Sequence, residues 1–188
     1  MSINDSLEYR RKYRGVIGIG CKIPIKDESI LSLVYTPGVA EPSLKIAEDP
    51  VRAFEYTSRG NTIAIVTDGS RVLGLGNLGA RAAMPVIEGK SVIFKTFGGI
   101  DAIPICLETQ DAGEIIRVVT NISPTFGAIC LEGISAPKCF TIQHHLREAL
   151  RICVFHNDQH GAAIGILAGL INASKLVEKN LNGLKIVI

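Results

Sequence analysis

Short apolar runs that alternate with helix-patterned segments constrain this chain more than any other feature. Thr62–Thr67, Ser91–Phe97, Ile103–Leu107, Phe126–Leu131 and Val154–His156 are rich in β-branched and aromatic residues and read as strands. Between them lie helix-like stretches: Gly79–Ile87, a segment opened by Asp111 with Glu114 at capping-box spacing, and Ser135 to Arg151 with Pro137 early in it. Gly161 opens a further helix that reads through Lys179. Alternation of this kind predicts an α/β fold, a largely parallel sheet flanked by helices in a three-layer-like arrangement. Residues 1–50 read as an irregular and helical N-terminal arm, with a helix near Ser29–Val34 and a turn at Tyr35-Thr36-Pro37-Gly38. Val51–Arg59 reads as a short helix ended by Gly60. Residues 51–180 then form the α/β domain. Residues 181–188 turn at Asn182-Gly183 and start a strand, Leu184–Ile188, with no sequel. That ending predicts a further domain.

Composition excludes several classes of function. Hydrophobic residues make up 47% and charged residues 20%, with a formal net charge of +2. No basic block accompanies that charge, so neither nucleic acid nor an acidic membrane surface is an expected partner. Five cysteines stand apart without a C-x-x-C pair, which favours a reducing compartment over a disulfide framework. The polar start Met-Ser-Ile-Asn-Asp lacks an apolar signal core, and Gly161–Ile171 is too short to span a bilayer. The expected location is cytoplasmic.

Candidate chemistry gathers where strands end. In parallel sheets, ligands bind beyond the carboxyl ends of the strands. Asp68, Glu132 and Asp158 each follow a strand, and three carboxylates on one rim would suit a metal or an acid–base pair. The plainer reading of Asp158 is a cap for the helix that follows it. Gly74-Leu75-Gly76-Asn77-Leu78-Gly79 fits the dinucleotide pattern G-x-G-x-x-G, with Asp101 at about the distance of the ribose-binding acid. The glycines Gly98-Gly99 intervene before Asp101, so a tight structural turn is preferred. His156 and His160 are four apart, but the strand–helix junction between them argues for loop-lining residues over metal ligands. Lys90, beside Gly89 at the start of an apolar run, reads either as a solvated lysine or as a general base. Tyr35 before its turn reads either as a packing aromatic or as a proton donor.

Taken together, these residues resemble the malic enzyme family in its short microbial form. The matching segments are Tyr35–Ala40, Thr67–Gly76, Pro85–Lys90, Gly98–Asp101, Leu131–Phe140 and Val154–Gly161, in the family's order. The resemblance runs from about residue 8 to the last residue. It implies oxidative decarboxylation of L-malate to pyruvate and CO2 with reduction of NAD or NADP. It also implies that Lys185–Ile188 begins a nucleotide-binding domain and that Gly74–Gly79 is not the nicotinamide site, leaving no cofactor-binding residue within this chain. Lys90 matches the general base and Tyr35 the general acid. Glu132 and Asp158 match ligands of a divalent Mg or Mn, Asp68 gains no ligand role, and Arg71 matches an arginine that grips a substrate carboxylate. The family's habit also implies a homodimer.

The chain departs from the family in ways that bear on the metal. Gly133 stands where an acidic third ligand is usual, and Asn157 replaces an acid that supports the lysine. Ala162 and Cys153 replace a usual Thr and Pro. Hard cations depend on the number and charge of oxygen ligands, so the resemblance implies weak metal binding that Gly133→Asp would tighten. The same departures admit a rival reading, a non-catalytic binding or assembly module with an eroded metal site. A third, a dinucleotide binder acting through Gly74–Gly79, predicts NAD affinity in this chain, and none is expected.

Overall fold

A computed structural model describes residues 3–187. Four strands, β1 (Thr62–Thr67), β2 (Asp101–Cys106), β3 (Ala128–Leu131) and β4 (Cys153–His156), form one sheet in the order β2-β1-β3-β4. Every pairing is parallel, with Ile63 opposite both Ala102 and Ala128, and Leu131 opposite His156. Parallel neighbours need crossovers, and helices supply them. The arm contributes α1 (Ile3–Tyr13), α2 (Glu28–Val34) and α3 (Ala40–Glu48), and α4 (Ala53–Tyr56) leads into the sheet. The crossovers are α5 (Ala80–Gly98), α6 (Ala112–Ile122) and α7 (Lys138–Ala149), and α8 (Ala162–Leu176) follows β4.

The side chains of β1 show why both faces are covered. Ala64 and Val66 join Ile115, Val119, Ile142 and Leu146 of α6 and α7, while Ile63 and Ile65 meet Ile87 and Phe94 of α5. Apolar residues on both sides of a strand are the mark of a sheet sandwiched between helices. The three-layer α/β reading therefore stands. The chain leaves β1 toward β2 through α5, then returns past β1 to β3 through α6. That reversal makes the carboxyl ends of β1 and β3 a topological switch point, where a crevice opens.

Local expectations fare unevenly. Asp111 caps α6 by accepting from the Glu114 backbone N–H at 2.8 Å, as the capping-box spacing predicts. Val51–Arg59 is broken into short 3-10 turns around α4, and not a single helix. Ser91–Phe97 is not a strand. It continues α5 through Gly89, because Ile87, Ser91 and Phe94 recur at helical spacing and face the sheet, which overrides the β propensity of V-I-F-K-T-F. Leu184–Val187 form no strand, and Ile188 lies outside the described residues. Among the described residues no helix is long and apolar enough to cross a membrane.

Candidate active site

The crevice at the switch point is a cavity of about 240 Å³ lined by Thr67, Arg71, Ala83, Val86, Ile87, Glu132, Gly133 and Asp158, among others. Each wall has a local cause. Glu132 continues β3, its N–H bonded to Val66 O at 2.9 Å, so its side chain leaves the strand end into the crevice. Arg71 is carried by the loop after β1, whose Arg71 N–H donates to Gly133 O at 2.9 Å. Gly69 makes that loop possible: its φ is +67, and a Cβ there would run into the backbone of Gly79. Asp158 sits in a wide π-type turn, Asn157–Gly161, between β4 and α8.

Lys90 arrives from α5. Ala83, Val86, Ile87 and Lys90 repeat at i, i+3, i+4 and i+7 on one helical face, of which the first three line the cavity and Lys90 reaches Glu132 in its wall. The Lys90 ammonium donates to Glu132 Oε2. Reading Lys90 as the start of a strand is thereby corrected: it lies within a helix, and the stripe that points it inward was present in the sequence. Burial pushes the Glu132 carboxyl above its ordinary value, with Lys90 beside it pulling the other way. Behind the same strand, burial raises the Cys130 thiol to about 12, so it stays a neutral core group.

Asp158 is not a helix cap. Its Oδ2 accepts from Gly133 N–H at 3.1 Å and lies 4.0 Å from Arg71 Nη1, while the first turn of α8 has no side-chain cap. Asp68 also departs from the open rim expected of it. Its side chain is fully buried, with Oδ1 accepting from Ser70 N and Oγ and Oδ2 2.6 Å from Lys138 Nζ. That last contact is an ion pair off the hydrogen-bond direction. Asp68 is thus a strut under the site. Tyr35 does not line the cavity; it is exposed at the end of α2.

The two histidines differ from loop-lining residues in an instructive way. His156 is buried, its Nδ1 accepting from Gln159 N–H at 3.3 Å, and its Nε2 has no partner among the described residues. It closes the turn that presents Asp158. His160 contacts the Gln143 amide and stacks near Phe155. Burial holds the His156 imidazole below its ordinary value of 6.5. A base depressed on folding favours the folded state while neutral, so its contribution is present above pH 6.5 and lost as the pH falls. Glu132, raised by burial, acts in the opposite sense. Thermal melts at pH 7.5, 6.5 and 5.5 are expected to fall more steeply for the native chain than for His156→Gln. Parallel slopes would contradict that account.

Glu132 and Asp158 are oxygen donors of the kind a hard divalent ion takes, and Mg in particular makes do with one or two carboxylates plus water and substrate oxygens. Among the described residues no third His, Cys, Asp or Glu joins them to complete a cluster. The pair fits such an ion as a sparse site. The Gly74–Gly79 loop folds back on the chain before it: Leu78 and Gly79 N–H both bind Gly69 O, Leu75 N–H binds Val72 O, and Gly76 O accepts from Val72 N–H. It is the structural turn that the sequence favoured, and Asp101 is engaged with Lys95 Nζ at 2.7 Å.

Residues 19–114 match the family model described as malic enzyme, N-terminal domain. An NAD-dependent malic enzyme of Geobacillus stearothermophilus is 55% identical over 174 residues, covering 93% of this chain and 36% of that protein. An NADP-dependent malic enzyme of Escherichia coli is 47% identical over 93% of this chain and 23% of its own length. The solved NAD-dependent malic enzyme of Thermotoga maritima superposes with a TM-score of 0.93 at 49% identity, over 96% of this chain and 48% of that one. The chain therefore spans less than half the length of these relatives.

Proposed function

The chain belongs to the malic enzyme family, and we propose that it forms the malate-binding and proton-transfer half of an enzyme that oxidatively decarboxylates L-malate to pyruvate and CO2. The observation that supports this most is the convergence of Glu132, Asp158 and Arg71 on one crevice, with Lys90 paired to Glu132. Lys90 Nζ, as the neutral amine once the ammonium has released a proton to solvent, accepts the proton of the substrate's C2 hydroxyl as hydride leaves. Arg71, more than half exposed at the mouth, grips a substrate carboxylate. Val72 and Ile87, both buried, form the apolar wall of the crevice. Tyr35 protonates the enol carbon; since it stands outside the crevice in a single chain, a movement of the arm or a second copy must bring it there. Asn157, next to Asp158, holds the position where the family carries an acid that supports the lysine. Glu132 and Asp158 would hold Mg or Mn, which supplies Lewis-acid stabilisation of the enolate when bound.

On this reading the hydride acceptor is NAD or NADP, bound by a nucleotide-binding domain in addition to the described residues. The enzyme works as a cytoplasmic homodimer on a small-molecule substrate, without nucleic-acid or membrane partners. The absence of a third carboxylate among the described residues favours a second reading, a binding or assembly module of the same fold without turnover. One experiment decides. With this chain joined to a nucleotide-binding domain of the family, L-malate, Mn and NAD(P) are expected to yield NAD(P)H, and Lys90→Met to slow the rate by at least about 100-fold. A joined protein that binds malate without turnover would establish the second reading.

A further inference from the structure

We infer that Lys90 is a tethered cation occupying one of the two carboxylates a divalent metal would use, so that metal entry and the Lys90–Glu132 pair exclude one another. The inference rests on the metal reading above. Lys90 Nζ is bonded to Oε2 of Glu132, both side chains are largely buried, and Glu132 lines the cavity. Asp158, the other carboxylate lining the cavity, is already engaged by Gly133 N–H and faced by Arg71. Two carboxylates thus meet two cations, the buried Lys90 and the half-exposed Arg71, and the site is charge-balanced as it stands. A divalent ion at Glu132 would face the ammonium in a partly desolvated crevice, where solvent screens the repulsion of like charges poorly. The ammonium must leave that oxygen.

Asn157 is neutral, and its amide lies over Gly161, where an added Cβ would come within 2.9 Å of Oδ1. It is not bonded to Lys90. Lys90 is bonded to Glu132 instead. Metal affinity in this chain is set by how readily Lys90 withdraws, as well as by the number of carboxylates.

Calorimetric titration of Mn2+ into the 188-residue chain and its variants tests the inference without any turnover. Lys90→Met is expected to bind Mn2+ at least tenfold tighter, and Lys95→Met, which removes a charge from the same helix away from Glu132, to leave affinity unchanged. In the native chain, reductive methylation of Lys90 followed by mass spectrometry is expected to be faster with Mn2+ present. Equal affinities for native and Lys90→Met, or equal gains in both lysine variants, would overturn the inference while leaving the metal reading intact. Methylation that is unchanged or slowed by Mn2+ would also overturn it. No Mn2+ binding by any version would overturn both.

Discussion

Lys138→Met is expected to destabilise the chain by about 3–5 kcal/mol, the cost typical of leaving one member of a buried ion pair alone. Asp68 has a fully buried side chain and Lys138 Nζ stands 2.6 Å from it, with only 22% of the lysine side chain exposed. Removing the ammonium strands a carboxylate among β1, the Ser70 turn and α7. Lys138 also donates to Gln110 O at 3.0 Å, and Gln110 Nε2 returns a bond to Asp68 O at 3.3 Å. The damage should reach the site, because Ser135 N–H binds Ser70 Oγ and so couples this strut to the Gly133 loop. Urea denaturation measures the loss. Asp68→Asn/Lys138→Met, which removes both charges, should recover most of it. A single-variant cost below about 1 kcal/mol would mean that the pair is not a strut.

Gly133→Asp is expected to gain a metal ligand and lose backbone fit at once. Gly133 has φ +60, and a Cβ there would stand 2.7 Å from Arg71 O and 3.3 Å from Thr67 Oγ1. Strain of this type costs about 1–3 kcal/mol, somewhat less for Asp than for other side chains. Gly133→Ala separates the two effects, since it carries the strain without the carboxylate. Both variants should unfold at lower urea than the native chain. The Asp variant should bind Mn2+ at least about tenfold tighter than the Ala variant, reflecting the added charge. Equal Mn2+ affinities in the two would show that position 133 does not reach the ion. The simple expectation that an acid at 133 restores the site therefore holds only after the collision with Arg71 is relieved.

Much of the fold was legible. Period and composition separated strands from helices at Thr62–Thr67, Phe126–Leu131 and Val154–His156, within a residue or two of β1, β3 and β4. The failure at Ser91–Phe97 has a clear origin. Gly89 and a β-branched, aromatic run suggest a break and a strand, whereas burial of Ile87, Ser91 and Phe94 against the sheet holds the helix. The same error hid the stripe that aims Lys90 at the crevice.

Sequence alone determined the α/β class, the strand-end positions of Asp68, Glu132 and Asp158, and the family to which these motifs belong. Those properties follow from local periodicity and from residue types at fixed spacing, which need no knowledge of distant contacts. Only the tertiary structure decided what each carboxylate does. Asp68 became a buried strut, Glu132 the partner of Lys90, and Asp158 the acceptor of Gly133 N–H. The reason is sequence separation: Lys90 and Glu132 lie 42 residues apart, and the Gly133–Asp158 bond spans 25. Whether a carboxylate meets a lysine, an arginine or solvent depends on how the crossovers dispose the loops around the switch point.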